Sequence, residues 1–260
     1  MEDLFIIKIG GNLIDHEASL AVFLRDFAVL SGKKILIHGG GKLATDLAQT
    51  LGINTQMVNG RRITDEATLK VVTMVYGGFI NKTIVSGLQA HGCNALGLTG
   101  ADANIILAHK RRNAEIDYGL VGDIDQVNAK ALAQILTAGF TPVVAPLTHD
   151  GAGNLLNTNA DTIAATLAQA MQAHYRTRLI FCFDKQGVLA SNNENDVIPQ
   201  LTEAEYHRLR AAGVISKGML PKLDNAFAAL RSGVERVLVC HASQLTAALH
   251  EEARGTELKR

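Results

Sequence analysis

Apolar and polar positions follow two rhythms along this chain. Short uninterrupted apolar runs lie at residues 4–9 (LFIIKI), 34–38 (KILIH), 95–98 (ALGL), 141–146 (TPVVAP), 179–183 (LIFCF) and 236–241 (RVLVCH). Their continuity and β-branched content read as strands buried on both faces, as in a parallel sheet covered by helices. Between them, apolar residues recur at helical spacing over 18–30, 41–51, 65–91, 129–138, 161–174, 202–212, 223–232 and 242–252. The longest of these carries Leu69, Val72, Met74, Ile80, Ile84 and Leu88 on its apolar positions. Such alternation predicts an α/β fold: a mostly parallel sheet sandwiched between helices, three layers in αβα order with right-handed crossovers. Two segments break the rhythm. Residues 104–122 read as a β-hairpin excursion with a charged tip, and 149–159 as a turn-rich loop. A polar stretch at 171–177 separates an apolar helix from the next strand, which predicts two domains, 1–174 and 175–260.

Composition narrows the function classes. The 260 residues are 47% hydrophobic with 24 Gly, 4 Pro and no Trp, which suits a layered protein with many tight strand-to-helix turns. Lys plus Arg and Asp plus Glu are 25 each, so the formal net charge is zero and no basic face for nucleic acid is expected. No continuous apolar run reaches the ~18 residues of a membrane span, and the first strand begins almost at Met1, so neither membrane nor targeting segment is expected. Cys93, Cys182 and Cys240 are widely spaced within apolar runs and read as buried thiols of a cytoplasmic protein.

Chemistry concentrates where strands give way to helices. Lys8-Ile9-Gly10-Gly11 ends the first strand. A lysine in a buried strand is costly unless it meets an anion, and two following glycines let backbone N–H groups approach one closely. His38-Gly39-Gly40-Gly41-Lys42 repeats the arrangement. Gly39 to Ala44 formally matches the dinucleotide pattern GxGxxA, but the acidic residue that reading needs at the end of the next strand is represented only by Asp65, at the start of a helix. The loop therefore indicates a bound anion more firmly than a bound dinucleotide.

Asn59-Gly60-Arg61-Arg62-Ile63-Thr64-Asp65 is a turn leading into a helix capped by Thr64 or Asp65, with an arginine suited to a bidentate carboxylate contact. Asn157-Thr158-Asn159-Ala160-Asp161 holds three Asn/Asp residues where one cap would need one, so at least one is free for a ligand. In Gly218-Met219-Leu220-Pro221-Lys222 a cation sits at a helix start against the macrodipole, which favours an anionic partner. Asp184-Lys185-Gln186-Gly187 follows a strand directly, where open α/β sheets place ligands.

Taken together and in this order, IIKIGG, HGGGK, NGRRITD, LNTNAD and GMLPK resemble the amino acid kinase family, and within it the members that phosphorylate N-acetyl-L-glutamate. The resemblance runs from Lys8 to Gly255-Thr256. It implies the amino acid kinase fold, with Lys8 and Lys222 straddling the transferring phosphoryl group, Asp161 holding both, and Gly11 and Gly40 offering N–H groups to its oxygens. It assigns Gly40, Gly41, Arg62 and Asn157 to the acylated glutamate. Gly10, Asp184, Gly187 and Lys222 would contact ATP, with Mg²⁺ carried by the nucleotide and 175–260 holding it. The acceptor carboxylate, with a pKa near ~4.3, is already ionised at neutral pH and needs no general base. Positioning and cationic stabilisation then carry the chemistry.

The resemblance has departures. Arginine-inhibited members carry an extra helix before the first strand. With seven residues before Lys8, a homodimer with little arginine inhibition is expected, its candidate interface the 65–91 helix. Arg61 stands where many relatives carry an apolar residue near the acyl group, so N-succinyl-L-glutamate is an alternative acceptor. An NAD-dependent oxidoreductase would leave Lys8 and Lys222 without a task. A non-catalytic amino-acid sensor is expected to have lost one of Lys8, Asp161 and Lys222, and all three are present.

Overall fold

The computed structural model describes residues 1–58, 61–112, 115–191, 193, 196–215, 218–249 and 255–260. Eight strands form one sheet, in the spatial order Gln200–Thr202, Thr256–Lys259, Arg236–His241, Arg176–Phe183, Asp3–Ile9, Lys33–His38, Thr141–Val144, Ala95–Leu98. All neighbours are parallel except Arg236–His241 with Thr256–Lys259. The first strand lies in the middle, between Lys33–His38 and Arg176–Phe183, and its side chains from Leu4 to Ile9 are buried, packed on both faces of the sheet.

Alternation along that central strand divides the core in two. Leu4 and Ile6 join Leu132, Ile163, Leu167, Leu223 and Phe227 on one face. Phe5, Ile7 and Ile9 join Phe23, Phe27, Val72, Ile80 and Ile84 on the other. Lys8 continues the Leu4/Ile6 face, and that parity turns its ammonium toward helices Ala160–Ala170 and Leu220–Arg231.

The expected strands are present, and four smaller features adjust the sequence reading. The 65–91 helix runs as Glu66–Val72, a wide-turned π segment Thr73–Ile80, and Asn81–Ala90. Taken as one helix, Glu66–Ala90 is 25 residues and holds an 18-residue stretch with a mean hydropathy of 1.2, long and apolar enough to cross a membrane. Here Val71, Val72, Val75, Tyr76, Ile80, Ile84 and Leu88 pack into the core. The excursion at 104–122 is a hairpin whose second strand starts only at its end: Ile106–Lys110 pairs antiparallel with Gly122–Val127. The 149–159 loop contributes a strand, Leu155–Asn157, to this second sheet of four. A two-stranded ribbon, Gln56–Val58 with Arg61–Ile63, stands apart from both sheets. Its turn at residues 59–60, and the end of the expected 242–252 helix, lie outside the described residues.

Candidate active site

Asp161 sits at the second position of helix Ala160–Ala170. The capping task at that helix falls to Asn159, whose side chain accepts a hydrogen bond from the Thr162 N–H (2.9 Å). Asp161 is therefore free, and both lysines meet it: Lys8 Nζ lies 2.7 Å and Lys222 Nζ 3.2 Å from Oδ1. All three are nearly buried. Burial alone would raise the Asp161 carboxyl, but the two ammonium groups more than offset it and hold it well below the usual carboxylate range. Lys222 is pulled down to about 8, first by burial and then by the Lys8 charge, with Asp161 opposing. The faces of Phe181 and Phe183 lie under its ammonium, 5.3 and 5.6 Å to the ring centres. Two cations held by one carboxylate leave a net positive charge aimed at the carboxyl ends of the central strands.

The two glycine loops face each other there. A methyl group on Gly11 would sit 3.7 Å from both the Gly40 and Gly41 nitrogens. Gly11 and Gly41 open helices Gly11–Ile14 and Gly41–Thr50, whose first-turn N–H groups have no intrahelical acceptor. Gly40 adopts φ 144°, ψ 19°, and a side chain there would come within 2.2 Å of Ile80. Only glycine fits between the loop and the π segment behind it. His38 secures the loop from below. Its Nδ1–H donates to the Gly39 carbonyl (2.8 Å), and its Nε2 accepts from Asn81 Nδ2 (3.2 Å). Burial pushes this imidazole down to about 4, so it is neutral.

A cavity of about 240 Å³ opens from the lysine–aspartate cluster past Gly11, Gly40 and Gly41 to Arg62 and Asn157. Arg62 is 6% exposed; its Nη2 donates to the Gly41 carbonyl and to Thr45 Oγ1, both at 2.8 Å. Its other terminal nitrogen is buried without a partner. Asn157 Nδ2 donates to Thr64 Oγ1 (3.0 Å). Asp65, not Thr64, caps the following helix through the Thr68 N–H (2.7 Å).

Eight of the residues singled out in the sequence thus converge: Lys8, Gly11, Gly40, Gly41, Arg62, Asn157 and Asp161 border the cavity, and Lys222 joins through Asp161. Three do not. The Gly10 N–H is committed to the Cys182 carbonyl (3.2 Å). Asp184 accepts from Asn12 Nδ2 (2.9 Å) and borders a separate cavity with Leu13, His16, Phe183 and His241. Gly187 packs where a side chain would strike Thr256 and Val197, both 2.7 Å away. Sequence reading missed Thr45, Tyr76 and Arg111, which complete the cavity wall or its support. Arg111 sits within a run of three basic residues at the hairpin tip, where nothing in sequence distinguishes it from solvated charge. The dinucleotide reading loses its support here: the strand after the glycine-loop helix, Gln56–Val58, lies outside the main sheet, and Asp65 is a helix cap.

Paired lysines on a buried aspartate, beside two glycine loops at the carboxyl ends of a parallel sheet, suit the binding of an anionic group. The chain belongs to the amino acid kinase family, whose model matches residues 3–241. Among relatives, it is 54% identical over 260 residues to the acetylglutamate kinase of Bacteroides thetaiotaomicron, covering 100% of this chain and 99% of that one. It is 53% identical to the acetylglutamate kinase of Cytophaga hutchinsonii, covering 99% of each. Its fold superposes with a TM-score of 0.82 on N-acetylglutamate synthase from Neisseria gonorrhoeae complexed with coenzyme A and N-acetyl-glutamate, at 22% identity, covering all of this chain and 59% of that one. The TM-score is 0.71 for carbamate kinase from Giardia lamblia bound to AMP-PNP, at 12% identity, covering 100% of this chain and 98% of that one.

Proposed function

We propose that this protein transfers the γ-phosphate of ATP to the γ-carboxylate of N-acetyl-L-glutamate, giving N-acetyl-L-glutamyl 5-phosphate on the route to ornithine and arginine. The observation that carries this reading is the Lys8–Asp161–Lys222 cluster opening into an arginine-walled cavity. The full-length similarity to acetylglutamate kinases supports it.

In this reading the chemistry needs no base, because the acceptor carboxylate is already ionised. What it needs is to bring two anions in line and to stabilise charge on a loose transition state. Lys8 and Lys222 supply that charge from opposite sides, and Asp161 keeps them apart and oriented. N–H groups of Gly11 and Gly40 meet the equatorial oxygens. Arg62 takes the α-carboxylate through its unpartnered Nη1, while Gly41 and Asn157 line the acceptor. Residues 1–174 hold the acceptor and 175–260 the nucleotide, with Asp184 and Gly187 on the nucleotide side and Gly10 supporting the loop. Mg²⁺ enters with ATP, carried by the phosphates as part of the substrate.

Two further assignments belong here. The protein works in the cytoplasm, a reading supported by three buried free thiols, two of them unlinked with sulfurs only 4.0 Å apart. It is a homodimer joined across helix Glu66–Ala90, supported by Met74 and Phe79, exposed on that helix. The test of the activity is direct. With MgATP and N-acetyl-L-glutamate, hydroxylamine is expected to trap an acyl phosphate as hydroxamate in step with ADP release. ADP release without hydroxamate, or neither product, overturns the reading.

A further inference from the structure

Arg61 is left without a role by the chemistry above. The cavity is bordered by four cations, Lys8, Arg61, Arg62 and Arg111, and by one carboxylate, Asp161, which the lysines already share. N-acetyl-L-glutamate brings two more negative charges. Its γ-carboxylate faces the lysines, and its α-carboxylate takes the free nitrogen of Arg62.

The remaining pair is built for something else. Arg111 is fixed: its Nε and Nη2 grip Asp123 in a bidentate pair and its guanidinium lies over the Tyr118 ring, 5.7 Å from the centre. Asp123 spends its hydrogen bonds on Arg111 and reaches Arg61 only through its charge, a weaker pull than the opposing Arg111 push. Arg61 forms no ion pair among the described residues, and its Nε is buried without a hydrogen-bond partner. Burial, and then the neighbouring Arg111 charge, pull its pKa below the usual arginine value. Strand alternation sends Arg61 and Arg62 to opposite faces of their ribbon, yet both border the same cavity. A guanidinium half-buried beside another cation, with no directly paired anion among the described residues, is an incomplete arrangement. A neutral acetyl methyl group placed against it would leave it incomplete.

We propose that Arg61, backed by Arg111, forms a third anion subsite that receives a carboxylate at the end of the acyl arm. The preferred acceptor is then an N-acyl-L-glutamate whose acyl group derives from a dicarboxylic acid, of the succinyl type. This rests on the acylglutamate kinase reading and refines its substrate.

The experiment compares kcat/KM, with MgATP, for N-acetyl-L-glutamate, N-succinyl-L-glutamate and the neutral succinamoyl isostere. The succinyl compound is expected to exceed both others by about ten- to a hundredfold, the range of one charge-assisted hydrogen bond at a desolvated site. In Arg61→Met the succinyl-to-acetyl ratio is expected to collapse toward one, and in Arg61→Lys to recover in part. A role in folding alone would lower turnover of every acceptor alike and leave the ratio unchanged. Equal or better turnover of the acetyl compound by the wild-type protein, or an unchanged ratio in Arg61→Met, overturns the subsite and leaves the kinase reading standing. If no acceptor yields hydroxamate, the kinase reading falls and the subsite falls with it. The isostere comparison needs no variant, so it decides the matter even if Arg61→Met does not fold.

Discussion

A lysine inside a central strand is tolerated only because its charge is met, and at Lys8 the partner is a carboxylate that a second buried lysine also needs. One carboxylate cannot neutralise both. In the proposed mechanism an arriving phosphoryl group cancels that surplus positive charge, which is how a preorganised site favours its transition state. Lys8→Ala and Lys222→Ala are each expected to lower kcat by roughly 10²–10³, the usual cost of one such contact. The far-ultraviolet circular dichroism should be unchanged, because Asp161 keeps the other lysine as partner in either variant. Near-normal kcat in either variant would remove that lysine from the mechanism. The two lysines were legible in sequence because each violates a local rule, burial in one case and the helix dipole in the other. Asp161 was legible only as one of three Asn/Asp residues where a helix cap needs one. Arg111 and Thr45 break no rule where they stand, and only the folded chain brings them to Arg61 and Arg62.

At the scale of elements, the glycine loop 39–41 is clamped from two sides. The π segment fills the space a Gly40 side chain would need, and His38 ties the loop to Asn81 where that segment returns to α-helix. Asn81 Nδ2 also donates to the Val143 carbonyl (2.9 Å), joining the loop to the neighbouring strand. The His38 contact makes a pH prediction. Its unfolded pKa is near ~6.5, whereas burial holds it at about 4 in the native protein. Between those values the unfolded chain binds a proton that the native chain refuses. The stability from neutral His38 is therefore complete above pH ~6.5 and is lost as pH falls toward 4, by about 3 kcal/mol for the whole shift. Urea midpoints at pH 7 and pH 4.5 should differ more in the wild-type protein than in His38→Gln, and equal differences would contradict this. The long buried strands were readable because each carries enough consecutive apolar residues to outweigh noise. Gln56–Val58, Arg61–Ile63 and Gln200–Thr202 are three residues each, too short to show a period. The π segment keeps a helical apolar pattern, so its wider turn leaves no mark in sequence.

For the molecule as a whole, the same helix that clamps the glycine loop presents its other side to solvent. Phe79 is 65% and Met74 53% exposed, while their neighbours Tyr76 and Ile80 press against the Gly40 position. Two large apolar side chains left in water within one turn of the site make sense if a second copy covers them. Cyclic two-fold dimers are the commonest way for one surface to meet itself, since each copy contributes the same patch. The consequence is a link between assembly and catalysis: pairing would stiffen the helix that holds Gly40 and Asn81 in place. Phe79→Glu puts a charge into that interface without touching the cavity. The wild-type protein is expected to sediment as a dimer at micromolar concentration and Phe79→Glu as a monomer. Because a loosened π segment no longer fixes the loop beneath the acceptor, KM for the acylated glutamate should rise in the monomer more than KM for ATP. Monomeric wild-type protein would remove the interface. A monomeric variant with both KM values unchanged would keep the interface and remove its connection to the site.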